Sequence, residues 1–277
     1  MKNKSKFIFA LYIFIYLILI MISFNEINKT FKDINYIERY DDYCENIQDQ
    51  KEKCNMNRED LKSSADKLTI FYNIMQSEIF YDLPIIAPII LTIFSMYYIN
   101  ILFKSKYLYY YIQRKKYKSF VVKMILNAYK YSLVAPIFIG IIYLLSSTIS
   151  DHNSTILVSL FQTSSFDIIH HNTKNFVILY AINITLNWLL ITNIALIIQS
   201  KNRKYIFNII EFIIIYFILE IILENLPFNY WLFGIYGLST MSIYSHLTTS
   251  IIYFIVSFIA VISVYKNKEK ILKRIGV

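Results

Sequence analysis

Three carboxylates fall in or at the edge of one apolar stretch of this chain, residues 205–223: Glu211, Glu220 and Glu224. A carboxylate held among apolar side chains can carry or gate an ion, and a pair of them can share a proton. At 100° per residue, Glu220 and Glu224 share a helix face, whereas Glu211 falls about 180° from Glu220. The three therefore cannot form one acid pair on a straight helix. Glu211 stands about two turns from the basic end of the stretch, where Lys204 or a neighbouring helix could neutralise it. Glu224 lies at the opposite end. Glu220 is the deep one, and two roles stay open for it: a transport or gating group, or a buried structural partner.

Two amides make a second constellation. Asn183 and Asn187 stand at i and i+4, on one helix face, with Thr185, Trp188 and Asn193 close by in sequence. Amides in an apolar helix hydrogen-bond across to another helix, or they line the path of a substrate. With Glu220 they form the candidate substrate pathway. The four histidines, His152, His170, His171 and His246, all read as lying in loops on the outer side. Asp151 and Asp167 are near some of them, but the spacing matches no metal-ligand pattern, so no metal site is assigned. There is no H-E-x-x-H, no G-x-S-x-G and no paired catalytic carboxylate, and an enzyme is not expected. Of the four glycines, Gly140, Gly234, Gly237 and Gly276, none belongs to a G-x-x-x-x-G-K-[ST] or G-x-G-x-x-G loop. The chain has no known motif for a nucleotide. Any ATP it depends on must come with another subunit, and no cofactor is expected in the chain itself.

These residues sit in six apolar stretches, at about 7–24, 83–103, 131–150, 176–199, 205–223 and 248–265. Each is close to the ~20 residues a helix needs to cross a bilayer core. The 28 Lys and Arg residues are split unevenly among the gaps between them. One alternating set of gaps holds Lys2, Lys4 and Lys6, eight residues from Lys104 to Lys130, then Lys201, Arg203, Lys204, and five from Lys266 to Arg274. The opposite set holds Lys174 and the eight basic residues of segment 25–82, where thirteen acids outnumber them. Short basic loops stay on the cytoplasmic side, whereas long segments cross largely regardless of charge. The expected fold is all-α: a multi-pass membrane protein with six transmembrane helices and both termini in the cytoplasm. The first stretch follows a basic start, but at 18 residues it is longer than a signal-peptide core and lacks a small-x-small cleavage site. It reads as a retained anchor. The net charge of +9 reflects this topology and suits anionic lipid headgroups rather than nucleic acid. The abundance of Ile, Lys, Asn and Tyr resembles the product of an AT-rich bacterial genome.

Three connecting segments stand out. Residues 25–82 read as an external helical hairpin on spans 1 and 2. Ile27, Phe31, Ile34 and Ile37 form its first stripe, and Leu61, Ala65, Leu68, Tyr72, Met75 and Ile79 form a seam of 4-3-4-3-4 spacing. Asn57 with Asp60 resembles an N-cap pair that starts the second helix. Cys44 and Cys54 lie at the tip, where an oxidising exterior would let a disulfide persist; two free thiols are the alternative. The cytoplasmic segment 104–130 is basic and aromatic with no acid. It either lies on lipid headgroups with its Tyr rings in the interface, or docks on an acidic or ATP-binding partner. Residues 224–247 combine Trp231, Phe233 and Tyr236 with Pro227, Gly234 and Gly237, which suits a re-entrant segment on the outer side. Pro84 and Pro88 are expected in the first turns of span 2, where a missing N–H is tolerated.

Six spans, cytoplasmic termini, an external segment after span 1 and a basic loop between spans 2 and 3 together resemble the type-2 ATP-binding-cassette (ABC) permeases. The closest local likeness runs from Leu83-Pro84 through the aromatic and basic stretch Tyr107–Tyr117 to Pro136. The resemblance implies that the 2–3 loop carries the helix that seats in a separate ATP-binding subunit, with Arg114, Lys115, Lys116 and Tyr117 at the contact. It also implies broken helices on the outer side between spans 5 and 6. The expected function is the permease subunit of a bacterial ABC exporter of a peptide, lipid or hydrophobic drug, in the cell membrane. Two such chains, identical or merely similar, would pair. The alternative from another class is a bacteriocin immunity or sensor protein acting through the external hairpin, and a membrane-embedded enzyme ranks third.

Overall fold

The computed structural model describes residues 2–32, 78–104, 117–149, 173–201, 204–224 and 243–267, with single positions at 67, 70, 71, 74, 269 and 271. Among the described residues the chain is almost entirely helical. Seven helices follow one another: α1 (Lys2–Lys32), α2 (Glu78–Lys104), α3 (Tyr117–Ser132), α4 (Ala135–Ile149), α5 (Thr173–Gln199), α6 (Tyr205–Glu224) and α7 (Ile243–Lys266). Four helical stretches are long and apolar enough to cross a membrane: Lys6–Asn28, Tyr117–Ile149, Lys174–Gln199 and His246–Lys266. Ile89–Phe103 and Tyr205–Leu219 are shorter apolar helices.

The centre of the bundle is α5. Two thirds of its apolar span (67%) is buried, against 17–39% for the other three, and it packs on α2, α3, α4, α6 and above all α7. Paired contacts set the directions. Asn183, Asn193 and Leu196 of α5 meet His246, Ser257 and Tyr265 of α7 in order, so these two helices run parallel. Tyr12 and Tyr16 of α1 meet Tyr131 and Phe138 in order, so α1 runs parallel to the α3–α4 pair. The side chains turned away from these contacts, such as Ile206, Ile214 and Phe217 on α6 and Ile252, Val256 and Ile259 on α7, are exposed. A hydrocarbon solvent accommodates such faces.

The α3–α4 pair departs from the expected span at 131–150, since its helix begins at Tyr117. The buried face of α3 is Phe120, Met124, Ile125, Ala128, Tyr131 and Ser132. Phe120, Met124, Ile125 and Ala128 join Ile99, Leu102, Phe103, Leu196, Val261 and Tyr265 in one core cluster, while Tyr131 packs in the other. At 33 residues the pair is about 50 Å long, well beyond a ~30 Å hydrocarbon core. It breaks at Leu133–Val134 because Pro136 has no N–H for the carbonyl of Ser132 and its ring would crowd that carbonyl. Ile137 and Phe138 restart the ladder on the carbonyl of Val134. In α2 the helix likewise begins earlier than expected, at Glu78. Pro84 and Pro88 therefore lie inside it, each removing one ladder N–H, rather than in its first turns.

α1 runs on past Phe24 to Lys32, as the stripe through Ile27 implies. Further along the segment 25–82, Ile70, Phe71 and Ile74 are fully buried in the main core. Phe71 meets the rings of Tyr143 on α4 and Tyr180 on α5 edge-on, and Lys67 Nζ lies 4.4 Å from the centroid of the Tyr143 ring. This part of the segment packs against α4 and α5. The expected hairpin turn, Cys44 and Cys54, Arg114, Lys115 and Lys116, the outer segment 225–242, and His152, His170 and His171 all lie outside the described residues.

Candidate functional site

Asn183 and Asn187 both face α7, and each is at most 2% exposed. Asn183 Nδ2 donates to His246 Nδ1 at 2.8 Å, and Ser250 Oγ donates to Asn183 Oδ1 at 2.5 Å. Ser250 also lies 3.0 Å from Asn187 Oδ1. One hydroxyl proton cannot serve both amides at full strength, so the shorter contact takes it. The Asn187 amide, turned by 180°, would instead donate to the Ser250 oxygen, since the two ends of an amide differ little in shape. Because an amide nitrogen only donates, His246 accepts at Nδ1, which is the behaviour of an uncharged ring.

The seam continues along the two helices. Asn193 Nδ2 donates to Ser257 Oγ at 2.8 Å, and Asn193 Oδ1 accepts from the hydroxyl of Tyr129 on α3 at 2.6 Å. Ser132, beside the α3–α4 break, lies 2.7 Å from Thr192 Oγ1 and 3.1 Å from the Trp188 carbonyl. Three helices are thus joined by side-chain amides and hydroxyls in an interior that offers few other polar partners. Such groups are satisfied internally or not at all. Next to the seam, Trp188 packs against Tyr16 and Phe138, with ring centroids 5.4 and 6.4 Å away.

The depth of this seam corrects one expectation. His246 reads as an external loop residue, but it belongs to α7 and is 1% exposed. Its partner Asn183 lies about nine residues, roughly 13 Å of rise, from Lys174 at the end of the α5 span. The histidine therefore lies in the first turn of α7, at the level of Asn183. A signal for it exists in the sequence: His246, Ser250 and Ser257 fall within about 40° of one another at 100° per residue. That polar stripe on an otherwise apolar helix matches the polar face of α5.

The other candidates are placed separately. Glu220 belongs to α6, which packs chiefly on α2 and α5, and its side chain lies outside the described residues. Glu211 is neutralised by Lys201, with which it forms an ion pair, rather than by Lys204. Lys201 follows the end of α5, so this pair closes the α5–α6 turn beside the buried bond from Asn208 Nδ2 to Gln199 Oε1, at 2.9 Å. Replacing Glu211 with Gln should cost no more than about 1 kcal/mol in detergent unfolding, because the lysine is well exposed and can rehydrate. A loss of several kcal/mol would mean that the ion pair is a buried one. Tyr117, expected at a partner contact, turns its hydroxyl inward to the carbonyl of Tyr265, at 3.0 Å. Among the described residues no three His, Cys, Asp or Glu side chains cluster as metal ligands.

Comparison with models of known families, with characterised proteins and with solved structures finds no match for this chain.

Proposed function

We propose that the chain is the membrane-spanning permease subunit of a bacterial ABC transporter, with six spans and both termini in the cytoplasm. Its transported substrate would be a peptide, lipid or hydrophobic drug, moved outward. Two copies, or one copy and a similar chain, would pair with separate ATP-binding subunits, which supply the hydrolysis that this chain does not perform.

The observation that best supports this reading is the continuity of α3. It starts at Tyr117, directly after the basic run Arg114–Lys116, and its other end carries Tyr129 and Ser132 into the polar seam. Force applied to a partner contact at 114–117 would be carried through a rigid helix to the groups between α5 and α7. Asn183, Asn187 and His246 would then line the path, with amides and an imidazole that can exchange hydrogen bonds with a polar group on an otherwise apolar substrate. Glu220 is kept as a further pathway residue on α6.

Affinity capture of the chain from its native membrane should recover a nucleotide-binding subunit carrying a P-loop, identified by mass spectrometry. Recovery of the chain with no such subunit would overturn the transporter reading and favour the immunity or sensor role. Orientation is tested separately, with Cys44 and Cys54 replaced by Ser. A cysteine at Ser63 should react with a membrane-impermeant maleimide on intact cells, and cysteines at Ser105 or Lys268 should react only after lysis. Reaction at Lys268 in intact cells would sink the six-span arrangement.

A further inference from the structure

At its C-terminal end α7 is tied to α5 and to α3 by two tyrosines in series. Tyr265, 1% exposed, donates from its hydroxyl to the Leu196 carbonyl of α5 at 2.9 Å. Its own carbonyl accepts the hydroxyl of Tyr117, the first residue of α3, at 3.0 Å. Both accepting carbonyls lie in the last turns of their helices, and that of Leu196 accepts from the Ser200 N–H as well, at 3.1 Å. Leu196, Val261 and Ile271 pack around the clasp with less than 2% exposure. Immediately above it come Ser257, Asn193 and Tyr129, the last polar groups of the seam.

We infer that Tyr117 and Tyr265 form a gate that closes the seam at the C-terminal ends of α5 and α7. Opening a path there requires α7 to part from both α5 and α3, and at that end Tyr265 ties α7 to α5 while Tyr117 ties α3 to α7. A tyrosine suits such a post because its ring fills the gap while its hydroxyl engages a backbone carbonyl that no mutation can remove. Since Tyr117 follows the basic run directly, whatever moves that run acts on the gate first. The inference rests on the seam being a transport path, but its test involves neither an ATP-binding subunit nor a substrate, so it can fail independently of the proposed function.

The test uses Ser257→Cys, a position 9% exposed, in the full-length chain with Cys44→Ser and Cys54→Ser. A membrane-impermeant maleimide is applied to inside-out vesicles and to intact cells. Tyr265→Phe is expected to raise the labelling rate from the vesicle side by roughly three- to tenfold, as expected for the loss of one buried hydrogen bond from an open–closed equilibrium. Tyr117→Phe should act in the same direction, and the double variant more strongly. Ser146→Cys serves as the control: it lies on α4, fully buried, and its hydroxyl bonds within its own helix to the Ile142 carbonyl. Its labelling should not change. Unchanged labelling at Ser257 in both phenylalanine variants overturns the gate, and so does a matching rise at Ser146, which would mean general loosening. Should Tyr265→Phe fail to insert, Tyr117→Phe decides alone.

Discussion

Reversing Arg114, Lys115 and Lys116 together to Glu is expected to abolish recovery of an ATP-binding subunit with the chain. The stretch from Lys104 to Lys130 contains eight basic residues and no acid, and the chain has no nucleotide motif of its own. Each exposed charge contributes only ~0–1 kcal/mol to a contact, so single substitutions should be mild. Three reversals replace three weak attractions by three repulsions. A loss of about 3 kcal/mol or more, over a hundredfold in affinity, follows. The measurement is co-purification of the ATP-binding subunit and its stimulated ATP hydrolysis, compared with the unmodified chain. Insertion must be checked in the same material, because the reversal weakens the charge bias that orients the neighbouring spans. If the triple variant inserts normally and still brings down an active ATPase, the basic run is a lipid-headgroup anchor. The coupling assignment of Arg114, Lys115, Lys116 and Tyr117 is then wrong.

The largest single-residue effect on stability is expected at Asn193. Its side chain bridges three helices, accepting from Tyr129 on α3 and donating to Ser257 on α7, and it is fully buried. Asn193→Leu removes both bonds and leaves the Tyr129 phenol facing hydrocarbon, while the Ser257 hydroxyl keeps its bond to the Phe254 carbonyl. Each such loss costs ~1–3 kcal/mol in a soluble core, but interhelical bonds in membranes average nearer ~0.6, with a maximum of ~1.7. The expected destabilisation is therefore about 2 kcal/mol, read from the midpoint of unfolding in mixed detergent with Trp fluorescence as the probe. Tyr129→Phe removes one of the two bonds and should cost roughly half as much. In the double variant the costs should not add, because both substitutions break the same contact. Additive losses, or an unchanged midpoint for Asn193→Leu, would place water in the seam and overturn its dry pairing.

The all-helical character and the apolar stretches were legible in the sequence because they depend on local quantities. Mean hydropathy over ~20 residues and the periodicity of the side chains need no knowledge of neighbours. The i, i+4 pairing of Asn183 and Asn187 was legible for the same reason, as was the expectation that they bond across to another helix. Which helix was not. The partners His246 and Ser250 lie 63 residues further along from Asn183 and Asn187, and only the parallel packing of α5 on α7 brings them together. The same packing moves His246 from an apparent loop to a buried place in the first turn of α7, since an apolar window cannot mark where a helix begins when its first turn is polar.

Charge neutralisation shows the same division. The sequence requires a cation near Glu211 but does not distinguish Lys201 from Lys204. The packing of α6 beside the end of α5 brings Lys201 to it. Tyr117 has a position suited to a membrane interface, yet it becomes a hydrogen-bond donor to α7, because the buried face of α3 packs in one cluster with Val261 and Tyr265. Local chemistry thus determined which segments are helical, which are apolar and which carry charge. Tertiary packing decided the seam and its closure, because a hydrogen bond between helices is a property of two positions that no single stretch of sequence contains.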